Sequence, residues 1–411
     1  MERAIALIYL DNNATTRIDP RVVERMYELM QLRLANPSSQ HAAGRQARQV
    51  VEQARGEILK QCGGRTQGMA SDQLLFTSGG TESNNLAIFG LTENIPGAIV
   101  VSSIEHPSVL VAAEYSAGHG REIRYLPCSS DGIVRLDLLE EWLAPPTSAQ
   151  SSKSGPIALV SLMLANNETG VLQPVASAAA MCRKARVLLH TDAVQVLGKA
   201  DLDFEALDVD AMTITAHKLH GPVGIGGLLL RHGVLLSPRS FGGFQQLGQR
   251  TGTEMPVLAG GFEMAVTNFV THLAPRVTKM KWLRDKLQSK ILESIPTAIA
   301  IGAQSARLPH TLSIAFPGVD RQALQLALDM AGIACSTGSA CASGSSQPSH
   351  VLEAMGLTPS VVRGGIRFSV SAETNDAEID QAVQELVLIV PRLSQLRIST
   401  PKVAPGSCDL P

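Results

Sequence analysis

Short runs of consecutive apolar and β-branched residues recur along the chain, separated by longer stretches in which apolar positions return every three or four residues. The short runs are Leu74 to Ser78, Ala98 to Ser103, Ile157 to Met163, Val187 to Thr191, Ala211 to Thr215 and Gly227 to Leu230, and their length predicts strands. Most are apolar throughout instead of alternating, as strands covered on both faces should be. Between Ala42 and Gln61, Ala47, Val50, Val51, Ala54 and Ile58 recur at helical intervals with charged residues between them, which predicts an amphipathic helix. A second helix is predicted from near Asn375, where Glu378 stands three positions on as in a capping box and Ile379, Val383, Leu386 and Val390 share the inward face. Pro391 is expected to kink or shorten it. The alternation of strands and helices predicts an α/β fold around a mainly parallel sheet.

The 411 residues suffice for two or three ordinary domains, and an apolar content of 45% can fill a substantial core. Thirty-five lysines and arginines against 37 aspartates and glutamates leave no surplus positive charge for nucleic acid or an anionic membrane surface. The apolar run within Met1 to Leu10 is too brief for a secretory signal, and no stretch approaches the ~20 apolar residues of a membrane span. The chain therefore reads as cytoplasmic. Six cysteines, at positions 62, 128, 182, 335, 341 and 408, are scattered and read as reduced thiols. Ala144 to Pro156 and the tail after Thr400 read as mobile surface.

Candidate chemistry begins with Thr213-Ile-Thr-Ala-His217-Lys218-Leu-His-Gly-Pro222, where a strand ends in a His-Lys pair. A lysine there can form a Schiff base with an aldehyde cofactor if burial or a neighbouring cation leaves its amine neutral; a surface lysine is the plainer alternative. Such a cofactor needs an acid to hold its pyridine nitrogen protonated, and Asp192 closes a predicted buried strand, with Gln195 three residues on. A capping aspartate would look the same. The run Phe76 to Asn85 contains Gly79, Gly80 and Thr81 between a strand and a helix start, an arrangement suited to a phosphate and equally to simple capping. His106 and Asn167 each follow a strand and could meet a cofactor ring or a substrate, or serve as ordinary loop residues.

The segment Cys335-Ser-Thr-Gly-Ser-Ala-Cys341-Ala-Ser-Gly-Ser-Ser consists of small residues that give a core little to grip. Cys341 is the candidate nucleophile on a mobile loop, and Cys335 reads as core filler. A zinc site is not expected, because no second close pair of ligands accompanies these two. Arg363 and Arg367 flank a Gly-Gly step. Arg367, on a predicted strand, is preferred as the clamp for an amino acid's carboxylate, with a surface ion pair as the alternative.

Taken together, Tyr9-Leu-Asp-Asn-Asn-Ala-Thr-Thr16, Asn36-Pro-Ser-Ser, Thr77-Ser-Gly-Gly-Thr-Glu-Ser, Glu105-His106, Asn166-Asn-Glu, His217-Lys218 and Gly338-Ser-Ala-Cys341 resemble, in order and over nearly the whole chain, the cysteine desulfurases of the class V aminotransferase family with a long cysteine loop. The resemblance implies a fold-type I pyridoxal-phosphate enzyme with a mainly parallel seven-stranded sheet. Residues 18–262 would form the large domain, residues 1–17 and 263–400 a smaller α+β domain carrying the cysteine loop, and residues 401–411 a flexible tail. It implies pyridoxal 5'-phosphate on Lys218, with Asp192 at the pyridine nitrogen, Gln195 at the phenolic oxygen and His106 over the ring. Gly80, Thr81, Thr215 and His217 would hold the phosphate, with Thr253 reaching it from the second subunit of a homodimer. Asn167 and Arg367 would meet the substrate L-cysteine. Cys341 would take the sulfur as a persulfide for an iron–sulfur scaffold or another acceptor protein, leaving alanine.

The family's usual Gly-Gly-Gly-x-Glu-x-Gly-x-Arg-x-Gly-Thr is altered here to a segment with Phe244, Gln246 and Leu247 in place of a glycine, a glutamate and an often basic residue. The alternatives are a selenocysteine lyase or aminotransferase of the same fold, and an inactive scaffold that binds sulfur carriers. A dinucleotide site at Gly221 to Gly227 is rejected, because a strand and not a helix follows it.

Overall fold

The computed structural model describes residues 7–144, 155–338 and 347–398. Cys341, most of the stretch from Ala144 to Pro156 and the tail after Thr400 lie outside the described residues. A short strand, β1 (Ile8–Tyr9), comes first in the chain. The central sheet is built from β2 (Gln73–Thr77), β3 (Ala98–Ser102), β4 (Ile123–Leu126), β5 (Ile157–Ser161), β6 (Leu188–Asp192), β7 (Ala211–Thr215) and β8 (Gly226–Leu230), in the spatial order β2, β8, β7, β6, β5, β3, β4. β4, β3, β5, β6 and β7 run parallel to one another, while β8 runs antiparallel between β7 and β2. Six of the seven strands coincide with the apolar runs of the sequence. β4 does not, because at the sheet edge it carries Arg124 and an exposed Tyr125.

Both faces of this sheet are covered, which is why its strands are apolar throughout. Val100, Val160, Leu189 and Leu229 pack on one side with Val51, Ala54 and Ile58 of the helix Ala42–Gln61 and with Phe262 and Val266 of the helix Pro256–Thr271. Their strand neighbours Ile99, Val101, Leu159 and Leu228 face the other side, against Leu86 and Ile88 of the helix Gly80–Thr92 and Val109 and Ala113 of the helix Pro107–Gly118. This is the two-residue alternation of a strand, with both sets of side chains buried.

A second core forms around an antiparallel sheet of β9 (Ile299–Ile301), β10 (Thr311–Ala315) and β12 (Gly365–Ser369), with β10 in the middle. β11 (Ile333–Ala334) pairs with β1 in parallel. Leu283 and Leu287 of the helix Leu273–Ser294 and Ile379 and Leu386 of the helix Asp376–Ile398 pack here with Ile314 and Phe368. Asn375 and Glu378 exchange the two bonds of a capping box at 2.8 and 3.0 Å. Pro391 does not shorten that helix, which continues to Ile398; the missing N–H costs one rung, and the inward apolar face on either side holds the helix in place.

Among the described residues Cys62, Cys128, Cys182 and Cys335 are free thiols. Cys335 lies in the second core, and burial pushes its thiol up to about 12, which suits the reading of it as core filler. No helix among the described residues is long and apolar enough to cross a membrane.

Candidate active site

The carboxyl ends of parallel strands collect ligands because successive loops leave the sheet there. Here the end of β2 leads to Gly80 and Thr81, the segment after β3 to His106, that after β5 to Asn167, β6 to Asp192 and Gln195, and β7 to Thr215, His217 and Lys218. All of these residues line one cavity of about 200 Å³, together with Asn84, Ser108, Met163, Ala165 and Val194. Nine positions singled out from the sequence thus converge on one place from five strand ends.

The helix Gly80–Thr92 starts at the cavity with no side chain capping it, so its first-turn amides and dipole are open to an anion. The Gly79 turn can sit there because Gly226 of β8 has no side chain: a Cβ at Gly226 would lie 2.8 Å from the Gly79 backbone. Glu82 in the same turn is engaged by Arg250 at 2.7 Å and by the Ser78 amide, contacts that hold its carboxyl below the usual range despite burial. Its charge is therefore paired and does not oppose an anion at the turn.

Lys218 Nζ donates to the carbonyls of Asn13 at 2.5 Å and Ala14 at 2.6 Å. Burial, followed by the charge of Arg367, pushes its amine down to about 8. Burial also takes His217 down to about 4, with Lys218 and Lys199 adding repulsion, so its imidazole is neutral at pH 7. Asp192 accepts from the Val194 amide at 2.9 Å and from Asn84 Nδ2 at 2.7 Å. His106 caps the helix Pro107–Gly118, its Nδ1 accepting from the Ser108 amide at 3.1 Å; burial holds its pKa below the ordinary value, opposed by Asp192. Gln195 Oε1 and Asn167 Oδ1 are buried with no partner among the described residues, an arrangement that favours a polar ligand.

Arg367 on β12 does not line the cavity itself. It donates to the Asn167 carbonyl at 3.0 Å and to Asp11 at 2.8 Å, just behind the wall that Asn167 forms. Arg363 is exposed. Thr253 is exposed and outside this cavity. Three residues that the sequence did not single out take part: Asn84, Ser108 and Asn13. Asn13 contributes a backbone carbonyl shared by Lys218 and, at 3.1 Å, by Gln195 Nε2; a carbonyl carries no residue-type signal. Asn84 lay inside the quoted run Phe76 to Asn85, where it stood only as part of a helix start, and Ser108 lies two positions beyond the quoted Glu105-His106.

The altered segment is held by Gln246. Its Oε1 accepts from the Phe76 amide at 2.7 Å while its Nε2 donates to the Phe76 carbonyl at 2.9 Å. A glutamate could not supply the second bond. Phe244 and Leu247 are 84% and 68% exposed.

Residues 8–382 match the family model of class V aminotransferases. The chain belongs to the class V aminotransferase family. Within it, the chain is 38% identical over 399 residues to the cysteine desulfurase NifS of Azotobacter vinelandii, covering 97% of this chain and 95% of that one. It is 40% identical over 391 residues to a cysteine desulfurase of Bradyrhizobium diazoefficiens, covering 94% and 95%. Among solved structures, the X-ray structure of a NifS-like protein from Rickettsia africae superposes with a TM-score of 0.83 at 33% identity, over 94% of this chain and 99% of that one. The sheet order and the strand-end cavity are thus those of a fold-type I enzyme.

Proposed function

We propose that this protein is a pyridoxal 5'-phosphate-dependent cysteine desulfurase, which converts L-cysteine to L-alanine and takes the sulfur onto Cys341 as a persulfide for iron–sulfur cluster assembly or another thiolation acceptor. The observation that carries the reading is that relatives named cysteine desulfurase match nearly the full length of the chain. The donor set of the cavity fits the cofactor: an uncapped helix start for phosphate, a buried carboxylate, an amine brought down towards neutrality and unpartnered amide oxygens.

When bound, pyridoxal phosphate supplies an electron sink for carbanion chemistry at the substrate's α-carbon. Lys218 would hold it covalently, with Gly80, Thr81, Thr215 and His217 around the phosphate, Asp192 at the pyridine nitrogen and Gln195 at the phenolic oxygen. Thr253 would complete the phosphate site of a second copy in a homodimer. Asn167 and Arg367 would orient the substrate carboxylate, and His106 and the Lys218 amine would move protons at the α-carbon and β-carbon. The Cys341 thiolate attacks the substrate sulfur: an S–S bond forms, the C–S bond breaks, its electron pair passes to the carbon skeleton, and protonation there yields alanine.

The test is the absorbance spectrum of purified protein with pyridoxal phosphate before and after cysteine, with alanine and persulfide assayed for wild type and Cys341→Ala. A band that responds to cysteine in both proteins, with sulfur transfer lost only in Cys341→Ala, is the expected result. No band with added cofactor would leave a scaffold as the better reading.

A further inference from the structure

We infer that Asn84, directly and through Ser108, is a positioning residue that sets the carboxylate of Asp192 and the imidazole of His106 together, as one hydrogen-bonded unit in the proposed cofactor site. The inference rests on the cofactor reading above for its purpose, though not for its geometry. Asn84 lies one turn into the helix Gly80–Thr92 and is 1% exposed. Its Nδ2 has two protons; one goes to Asp192 Oδ2 at 2.7 Å and the other to Ser108 Oγ at 2.8 Å. With its oxygen accepting from Asn84, the Ser108 hydroxyl directs its own proton to His106 Nδ1 at 2.8 Å. The Ser108 amide meets the same nitrogen at 3.1 Å.

Two donors converging on Nδ1 leave the neutral ring a single tautomer, with its proton on Nε2. The amide of Asn84 cannot be turned over, since its oxygen would then face the carboxylate of Asp192. That oxygen is buried and has no partner among the described residues. Asn84 therefore uses both donors and leaves its acceptor idle, which internal satisfaction alone would not favour. Of the charged or titratable groups acting on His106, namely Asp192, Lys218, His350 and Arg367, Asn84 bonds Asp192 alone and Ser108 bonds none of them.

The test compares wild type, Asn84→Leu, Asn84→Asp and Ser108→Ala by two readouts. Nitrogen-15 NMR of the apoprotein follows the His106 tautomer and titration, and absorbance of the pyridoxal-phosphate-loaded protein follows the pH response of the cofactor band. Removing donors from the neutral ring's Nδ1 raises its pKa, so Ser108→Ala should move His106 upward and leave the cofactor band unchanged. Asn84→Leu should move both, each by about one pH unit. Asn84→Asp, nearly equal in size to the native residue, sets a second carboxyl against Asp192. It should shift the cofactor band's transition to higher pH, and it decides the matter if Asn84→Leu does not fold. An unchanged His106 titration in Asn84→Leu, an unmoved cofactor band in Asn84→Asp, or a cofactor band moved equally by Ser108→Ala and Asn84→Leu, overturns the inference. Should wild type take up no cofactor, the functional reading fails while the apoprotein titration still tests the hydrogen-bonded unit.

Discussion

The guanidinium of Arg367 lies 2.8 Å from the carboxylate of Asp11, and its second amino group donates to the Asn167 carbonyl. In the proposed function an incoming substrate carboxylate would meet an arginine already oriented by two partners, with the planar fork as the element that can serve several acceptors at once. In Arg367→Lys a point charge replaces the fork. KM for cysteine should rise about tenfold, equivalent to ~1.4 kcal/mol, with a smaller change in kcat. Alanine formation against cysteine concentration measures it, and an unchanged KM would remove Arg367 from substrate binding.

The Lys218 amine, pushed down to about 8 mainly by burial, reacts with an aldehyde only when neutral. Below pH 8 the neutral fraction grows with pH, and above it the amine is mostly unprotonated. Cofactor capture by the apoprotein, followed by absorbance, should accelerate with pH up to about 8 and then level off. Continued acceleration towards the usual lysine range would mean that the amine is not perturbed.

Glu105 is buried beside the site, and burial pushes its carboxyl up to about 8 although Ser102 and the Met163 amide donate to it. Because the folded-state pKa is the raised one, its contribution to stability is fully present below the ordinary value near 4.5. It declines as pH rises towards 8, since the unfolded chain releases the proton first. Glu105→Gln keeps an acceptor for both donors without the charge. Its melting temperature should be close to wild type at pH 4 and exceed it increasingly up to pH 8; a constant difference across that range would refute the burial of a titrating group.

Gln246 pairs with both backbone groups of Phe76 on the edge strand β2 and accepts from Arg55 at 3.0 Å. Gln246→Ala removes these bonds and should cost about 1–3 kcal/mol. Urea denaturation would show it as a lower midpoint with an unchanged slope.

The legible part of the fold was the part that repeats. Six central strands and the helix Ala42–Gln61 followed from periodicity, and β4 was missed because an edge strand need not be apolar throughout. Lys218, Asp192, His106 and the Gly80-Thr81 turn were legible because each sits where a strand ends. The Asp11–Arg367 pair spans 356 positions, a separation that no local pattern reveals. The fork of Asn84 was hidden for another reason: its significance lies in where two N–H groups point, and the sequence gives only that an amide is present. Phe244 and Leu247 stood out as departures, while the hydrogen bonds of Gln246 beneath them did not.

Asn13, whose carbonyl receives the Lys218 amine, is itself held by the Ser369 hydroxyl at its amide and by Thr311 at its side chain. During synthesis from the N-terminus, the lysine emerges well before these anchors do. The seat for its amine is complete only when β10 and β12 have left the ribosome and closed onto the first residues of the chain. A nascent chain carrying Lys218 is thus without the native carbonyl seat until Ser369, 151 positions further on, has been made, so any chemistry of that amine that needs its seat waits for β12.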